Sequence, residues 1–124
     1  MSYMVLWLDH SHAKIFNFKS EEPEVSDCPN RHHTNHHNTR HQENEKAEQL
    51  KKFYHDVHDQ ILAAKELLIV GPGFAKNEFK TYLETHHAKG LSRSIIGLET
   101  MDKATDGEIK NIAKKFFHKY NLFH

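Results

Sequence analysis

An unbroken apolar run, Leu67 to Val70, ends at the turn Gly71-Pro72-Gly73 and leads into the segment Phe74 to His87. A continuous apolar run of this length is typical of a strand that is buried on both faces of a sheet. This segment is predicted to be an amphipathic helix that points Phe79, Tyr82 and Leu83 inward. The sequence therefore predicts a buried strand that turns directly into a helix, as in α/β domains.

The other periodic segments complete one domain around this unit, residues 1–124. In chain order, they predict strands at Met4–Leu8 and Ala13–Lys19, an edge strand near Val25, a helix at Glu45–Ala64, a strand at Ser94–Glu99, and a last helix that begins at the capping box Thr105–Glu108 and ends near Tyr120. The predicted buried stripe of the last helix consists of Ile109, Ile112, Ala113, Phe116 and Tyr120. This order predicts an α/β fold with a mixed sheet of about five strands and helices on both faces.

The composition excludes several classes of protein. The 17 basic and 17 acidic side chains balance, which argues against coating nucleic acid by bulk charge. The single cysteine, Cys28, excludes an internal disulfide framework and a Cys-rich zinc site. No signal peptide and no apolar run of about 20 residues is visible, so we expect a cytoplasmic protein without a membrane partner. The unusual feature is histidine, with 13 copies.

Two stretches of the sequence resemble a known domain. The residues from Leu68 to Phe79 read Leu-Ile-Val-Gly-Pro-Gly-Phe-Ala-Lys-Asn-Glu-Phe. They resemble the strand, turn and helix in the middle domain of the Pelota and archaeo-eukaryotic peptide-chain release factor family. The segment from Leu8 to Phe16 resembles the first two strands of that domain. The resemblance covers roughly residues 3–120 and implies a ribonuclease-H-like mixed sheet, as in short bacterial translational-machinery-like proteins that consist of this domain alone.

One region departs from the release factors. In those proteins, the loop before the first major helix carries Gly-Gly-Gln, which hydrolyses peptidyl-tRNA. The corresponding residues here, Cys28 to Glu43, contain Gln42 but no glycine. The resemblance therefore implies a relative without this reaction, closer to the Pelota-type proteins, which use a basic loop in this region. We do not expect an enzyme.

The segment Cys28–Asn44 has no apolar periodicity and is predicted to be a long, His-rich polar loop. Arginine and protonated histidine bind phosphates and stack on bases. Together with the resemblance, these side chains predict contact with the ribosome, rRNA or tRNA. The predicted RNA-binding residues are Arg31, His32, His33, His36, His37, Arg40 and His41, with Lys76 on the second helix.

Two other interpretations of this loop stay open. His33, His37 and His41 are four residues apart and would share one face of a helix. Imidazole is a good ligand for Zn, Ni and Cu, so an alternative function is divalent-metal binding, with Zn or Ni as the candidate ion. No Cys or nearby Asp completes a closed site there. The remaining interpretation is a solvated loop without a ligand.

The turn Gly71-Pro72-Gly73 also has two interpretations. Gly71 and Gly73 would present backbone N–H groups at a helix N-terminus, which favours anions, and Lys76 lies one turn further on. The spacing differs from that of a Walker loop. Without an anion, the glycines simply allow a tight turn between the strand and the helix.

Three further sets of polar residues give weaker indications of function. Asp9, at the end of the first strand, raises a second alternative, a small nuclease or hydrolase, but the several convergent carboxylates that such enzymes need are not visible. Asp9 is otherwise expected to accept hydrogen bonds within a turn. His55 and His58, on the first helix, are predicted to be solvated. Cys28 has no evident activating partner and is predicted to be inert.

Overall fold

A computed structural model describes residues 3–20, 22–32, 39–87, 90–102 and 104–123, with the side chains of the first and last helices given for 45–60 and 106–118. Within these residues, five strands form one sheet: β1 (Tyr3–Leu8), β2 (His12–Phe18), β3 (Glu24–Pro29), β4 (Glu66–Gly71) and β5 (Ile95–Thr100). The same residues form the helices α1 (Thr39–Gln60), α2 (Ala75–His86) and α3 (Asp106–Phe123), and a short 3₁₀ helix, Leu91–Ser94. None of these helices has the length and apolar character that crossing a bilayer would need.

The sheet has the strand order β3-β2-β1-β4-β5. β1 and β2 pair antiparallel as a hairpin, and β3 continues this half of the sheet antiparallel to β2. β4 lies parallel to β1 on the other side, and β5 lies parallel to β4. The arrangement confirms the predicted α/β class and its mixed, ribonuclease-H-like sheet, and it confirms an edge strand around Val25.

Alternation along β1 divides the core between the two faces of the sheet. Leu6 and Leu8 point to one face, where α1 and α2 cover the sheet with Phe53, Val57, Phe79 and Leu83, among others. Val5 and Trp7 point to the opposite face, where α3 packs through Ile109, Ala113 and Phe117. Leu67, Leu68, Ile69 and Val70 are all buried, because helices cover β4 from both sides. The predicted two-sided burial is therefore confirmed.

The predicted loop Cys28–Asn44 is wrong at both ends. Cys28 and Pro29 belong to β3, where they pair with Ala13 and His12 of β2. The backbone of residues 39–44 is already helical, so α1 begins six residues before the predicted start at Glu45. Once a helix is nucleated, extending it by a polar turn costs little, and a turn without apolar residues has no apolar periodicity that could predict it.

The last helix begins as predicted. The Thr105 Oγ1 atom accepts a hydrogen bond from the backbone N–H of Glu108 at 3.2 Å, and the Glu108 carboxylate accepts one from the Thr105 N–H at 3.2 Å. The buried stripe differs from the prediction, since Phe117 is buried and Ile112 is 42% exposed. Ile109, Ala113 and Phe117 are four apart and lie in one row, whereas Ile112 lies beside that row.

Candidate functional site

The carboxyl ends of β1 and β4 lie side by side, because these two strands pair in parallel up to Trp7 and Val70. The backbone approaches very closely there: a Cβ atom added at Gly71 would lie 2.3 Å from the carbonyl oxygen of Leu8. Nothing lies within 4 Å of a Cβ atom added at Gly73. The first glycine is thus required by strand packing, and the second is exposed at the tip of the turn.

Lys76 does not extend from the turn into solvent. Its side chain is buried, and Nζ donates a hydrogen bond to the carbonyl oxygen of Gly73. The cation predicted to hold an anion therefore faces the carbonyl of its own turn, and the anion site stays a prediction. The exposed group at this position is an aromatic ring, Phe74, which is 79% exposed.

Glu78 joins three elements at this end of the sheet. Its Oε2 atom accepts a hydrogen bond of 2.8 Å from the Tyr54 hydroxyl and lies 3.1 Å from Nε2 of His10. Burial, and then the hydrogen bond and charge of Glu78, raise the pKa of Tyr54, which keeps this phenol a neutral donor. A cavity of about 290 Å³ adjoins this group, lined by His10, Asn30, Lys46, Gln49, Leu50 and Glu78.

Asp9 stabilises the turn between β1 and β2. Its Oδ1 atom accepts hydrogen bonds from the backbone N–H groups of Ser11 (2.9 Å) and His12 (2.8 Å), and from the Ser11 hydroxyl (3.0 Å). The turn interpretation is confirmed. Among the residues with described side chains, Asp9 belongs to no group of three or more metal-ligating side chains.

Of the predicted RNA-binding residues in the loop, the structure describes the side chains of two, Arg31 and His32. Arg31 is exposed. His32 is held in place by two contacts. Its Nε2 atom lies 2.7 Å from Oδ2 of Asp56 on α1, and its backbone N–H donates a hydrogen bond to Oδ1 of Asn30. The other predicted ligands lie outside the residues whose side chains are described, namely His33, His36, His37, Arg40 and His41. The metal set His33, His37 and His41 is among them and stays a prediction.

His32 lines a depression between α1 and α2. The depression has a volume of about 470 Å³, and basic and aromatic side chains form much of its wall: His32, Lys51, Lys52, His55, Tyr82 and His87. The loop thus begins beside a surface with its own cationic groups, which sequence patterns alone did not connect to it.

Three histidines from α1 and the end of α2 meet beside this depression. His55, His58 and His87 each place one possible ligand atom within 4.8 Å of the others. The rings of His58 and His87 are stacked, with centroids 3.7 Å apart and planes 18° apart. His58 is only 9% exposed, so the prediction that it is solvated is wrong.

The surroundings of His87 favour the neutral form of its imidazole. Burial lowers the pKa of His87, and the neighbouring rings of His58, His86 and His55 lower it further. Nε2 of His87 is buried and has no hydrogen-bond partner among the described residues. Asp59 lies at the edge of the cluster, 3.2 Å from Nδ1 of His58 and 3.5 Å from Nε2 of His55.

The spacing of the histidines in the sequence indicates this cluster, although the apolar periodicity does not. His55 and His58 are one helical turn apart, and His86-His87 ends the next helix of the chain. Parallel crossovers are right-handed, so two crossovers that step across a sheet in the same direction place their helices on the same face. The crossovers from β3 to β4 and from β4 to β5 do this, so α1 and α2 share a face.

Cys28 illustrates an inert position. It is buried, and burial and the carboxylate of Asp56 raise the pKa of its thiol, with Arg31 opposing them. We expect a thiol reagent at pH 7.5 to label native Cys28 at least about tenfold more slowly than the urea-denatured chain, since the thiolate is the reactive form. Equal labelling rates in the two states would show that the thiol is accessible and ionised in the fold.

The chain is similar to known proteins in both sequence and fold. No protein-family model matches the sequence. A pelota homologue from Methanosphaera stadtmanae is 31% identical over 75 residues, which cover 58% of this chain and 21% of the archaeal protein. The chain resembles a domain of Pelota. The Pelota resemblance predicted from the Gly-Pro-Gly segment and the opening hairpin is therefore confirmed.

Solved structures agree with the Pelota-like fold. Archaeoglobus fulgidus Pelota superimposes with a TM-score of 0.63 over 92% of this chain, at 15% identity. The Thermoplasma acidophilum Pelota protein gives 0.61 over 88%, also at 15% identity. An archaeal translation termination factor, aRF1, gives 0.60 over 98%, at 17% identity. The Pelota-like chain spans only 31%, 30% and 40% of these structures, respectively.

Proposed function

We propose that this chain is a non-catalytic, translation-associated module that binds the ribosome or a structured RNA through its His/Arg-rich loop. The observation that carries the proposal is the likeness to Pelota in sequence and fold, together with a fold shared with a translation termination factor. The absence of a glycine from Cys28 to Glu43 leaves no Gly-Gly-Gln motif there, so the proposal includes no hydrolysis of peptidyl-tRNA.

The electrostatics of the described surface support this proposal. Arg31 is exposed at the start of the loop, and Lys51 and Lys52 are exposed on α1 beside His32. Because the formal net charge of the chain is zero, attraction to phosphates depends on such a local cluster. Arginine and lysine that neutralise phosphates release counterions, and this release makes binding depend on salt.

The first test replaces the loop arginines. We expect the double variant Arg31→Ala, Arg40→Ala to bind labelled tRNA or an rRNA fragment about tenfold more weakly, with a salt slope lower by about one for each phosphate that is no longer neutralised. Fluorescence anisotropy at several salt concentrations, with a chelator present, measures both quantities. Arg93→Ala is the matched control, because Arg93 is on the 3₁₀ helix, away from the loop.

If the double variant bound RNA with the same affinity and the same salt slope as the unmodified chain, the loop would not be the RNA interface. Ribosome cosedimentation supplies an independent readout. The variant for that experiment combines Arg31→Ala and Arg40→Ala with a Gly/Ser segment of equal length in place of residues 33–38, which leaves the end of β3 and the helical backbone of α1 in place. Binding that survives this replacement would likewise count against the proposal.

A further inference from the structure

We infer that His55, His58 and His87 form a binding site for one divalent transition-metal ion on the face shared by α1 and α2. This site is distinct from the candidate set His33, His37 and His41 in the loop. The inference does not depend on the proposed RNA-binding function, since it rests on the geometry of the described side chains.

The geometry is close to that of a bound site. Zinc–imidazole bonds of about 2.05 Å with tetrahedral angles place ligand nitrogens about 3.3 Å apart. The three histidines offer atoms within 4.8 Å of one another, so modest side-chain rotation closes the remaining gap. His55 is exposed and can rotate towards the ion. The rings of His58 and His87 stack with centroids 3.7 Å apart, and because an imidazole binds an ion through a lone pair in the plane of its ring, one of these two rings has to turn out of the stack to share the ion.

The ring nitrogen of His87 that is unpaired among the described residues favours an ion at this position. A buried imidazole nitrogen without a partner costs free energy comparable to that of a lost hydrogen bond. Nε2 of His87 is such a nitrogen among the described residues. An ion shared with the two neighbouring rings would satisfy it, and it would also hold three imidazoles together in their neutral, ligating form.

The donor set selects the class of ion. Three imidazole ligands without carbonyl oxygens favour Zn²⁺, Ni²⁺ or Cu²⁺. They disfavour Mg²⁺ and Ca²⁺, which prefer oxygen ligands. Asp59 lies 3.2 Å from Nδ1 of His58. A carboxylate that engages the second nitrogen of a ligating histidine orients the ring and raises its basicity. In the inferred site, His58 binds the ion through Nε2, which leaves Nδ1 for Asp59, and Asp59 positions the ring.

The site is open to solvent on two sides. His58 and His87 line a cavity of about 510 Å³, and His55 and His87 line the depression of about 470 Å³. Three protein ligands leave a fourth position of a tetrahedral ion for water. An ion can thus enter and exchange, as expected for a site with a free coordination position.

The test first removes competition from the loop. In a background of all 124 residues that carries His33→Asn, His36→Asn, His37→Asn and His41→Asn, we expect calorimetric titration with Zn²⁺ to give one equivalent. In that background, His55→Gln and His87→Gln should each weaken binding at least about tenfold, as loss of metal-site groups typically does. His86→Gln is the matched control, because His86 is the exposed neighbour of His87 and lies outside the cluster.

Co²⁺ provides a second readout, since its visible absorption reports the nitrogen ligands directly and should be lost in His87→Gln but kept in His86→Gln. Circular dichroism checks that each variant is folded, and His55→Gln, at an exposed position, keeps the test valid if His87→Gln unfolds. Two results would overturn the inference: no stoichiometric Zn²⁺ binding in the loop-substituted chain, or equal losses in His86→Gln, His55→Gln and His87→Gln.

Discussion

Gly71→Ala is expected to lower the free energy of unfolding by about 3 kcal/mol or more. The new methyl group would lie 2.3 Å from the carbonyl oxygen of Leu8 and 3.4 Å from its carbonyl carbon. Both atoms belong to the backbone of β1, which pairs with β4, so they can move only if the parallel pair opens. Urea unfolding followed by far-ultraviolet circular dichroism measures the change.

Gly73→Ala is the matched control for this variant. Nothing lies within 4 Å of the added methyl group, and Gly73 does not have a positive φ angle. We expect a change of at most about 0.5 kcal/mol, with a stabilising contribution because alanine restricts the unfolded chain. Similar losses in the two variants would show that the tip of the turn is as constrained as the strand end.

The sequence predicted the sheet and its two cores because burial imposes a period on the chain. In β1, Leu6 and Leu8 alternate with Val5 and Trp7, and the structure places the two pairs in opposite cores. In β4, apolar residues do not alternate with polar ones, and this pattern predicted that the strand is buried on both faces of the sheet. Such patterns depend only on the neighbours of each residue along the chain, so they can be read without knowing the tertiary structure.

The boundaries of the His-rich segment depend on other parts of the molecule. Cys28 is part of β3 because it pairs with Ala13 of β2 and is buried against the core of α1 and α2. The early start of α1 leaves no apolar pattern, since residues 39–44 are polar. Periodicity detects a helix only through repeated apolar residues, so the helical backbone of residues 39–44 could not be predicted from it.

The candidate sites were less predictable than the fold, because they depend on the orientation of individual side chains. Lys76 reads as an exposed cation, yet it is buried and donates to the carbonyl of Gly73. His58 reads as a surface residue of α1, yet the end of α2 covers it through His87. The contact between His58 and His87 arises from the packing of α1 against α2, which local spacing constrains only weakly.

Phe79→Ala is the second variant with a large expected effect, a loss of about 3–5 kcal/mol in the free energy of unfolding. Phe79 is fully buried in the core between the sheet and the helices α1 and α2. Its ring meets that of Tyr54 edge-on at 5.6 Å and stacks with that of Tyr82 at 6.2 Å. Truncation therefore removes apolar burial, leaves a cavity and weakens the packing of α1 against α2.

Phe74→Ala provides the control on the same turn and helix, because Phe74 is 79% exposed. We expect it to change the free energy of unfolding by at most about 0.5 kcal/mol, as is usual for surface substitutions. Domains of this kind have a total stability of about 5–15 kcal/mol, so Phe79→Ala should shift the urea midpoint strongly while Phe74→Ala leaves it in place. A small loss in Phe79→Ala would mean that Tyr54, Tyr82 and Leu83 collapse into the vacated volume, and that α2 can repack on the sheet without its central ring.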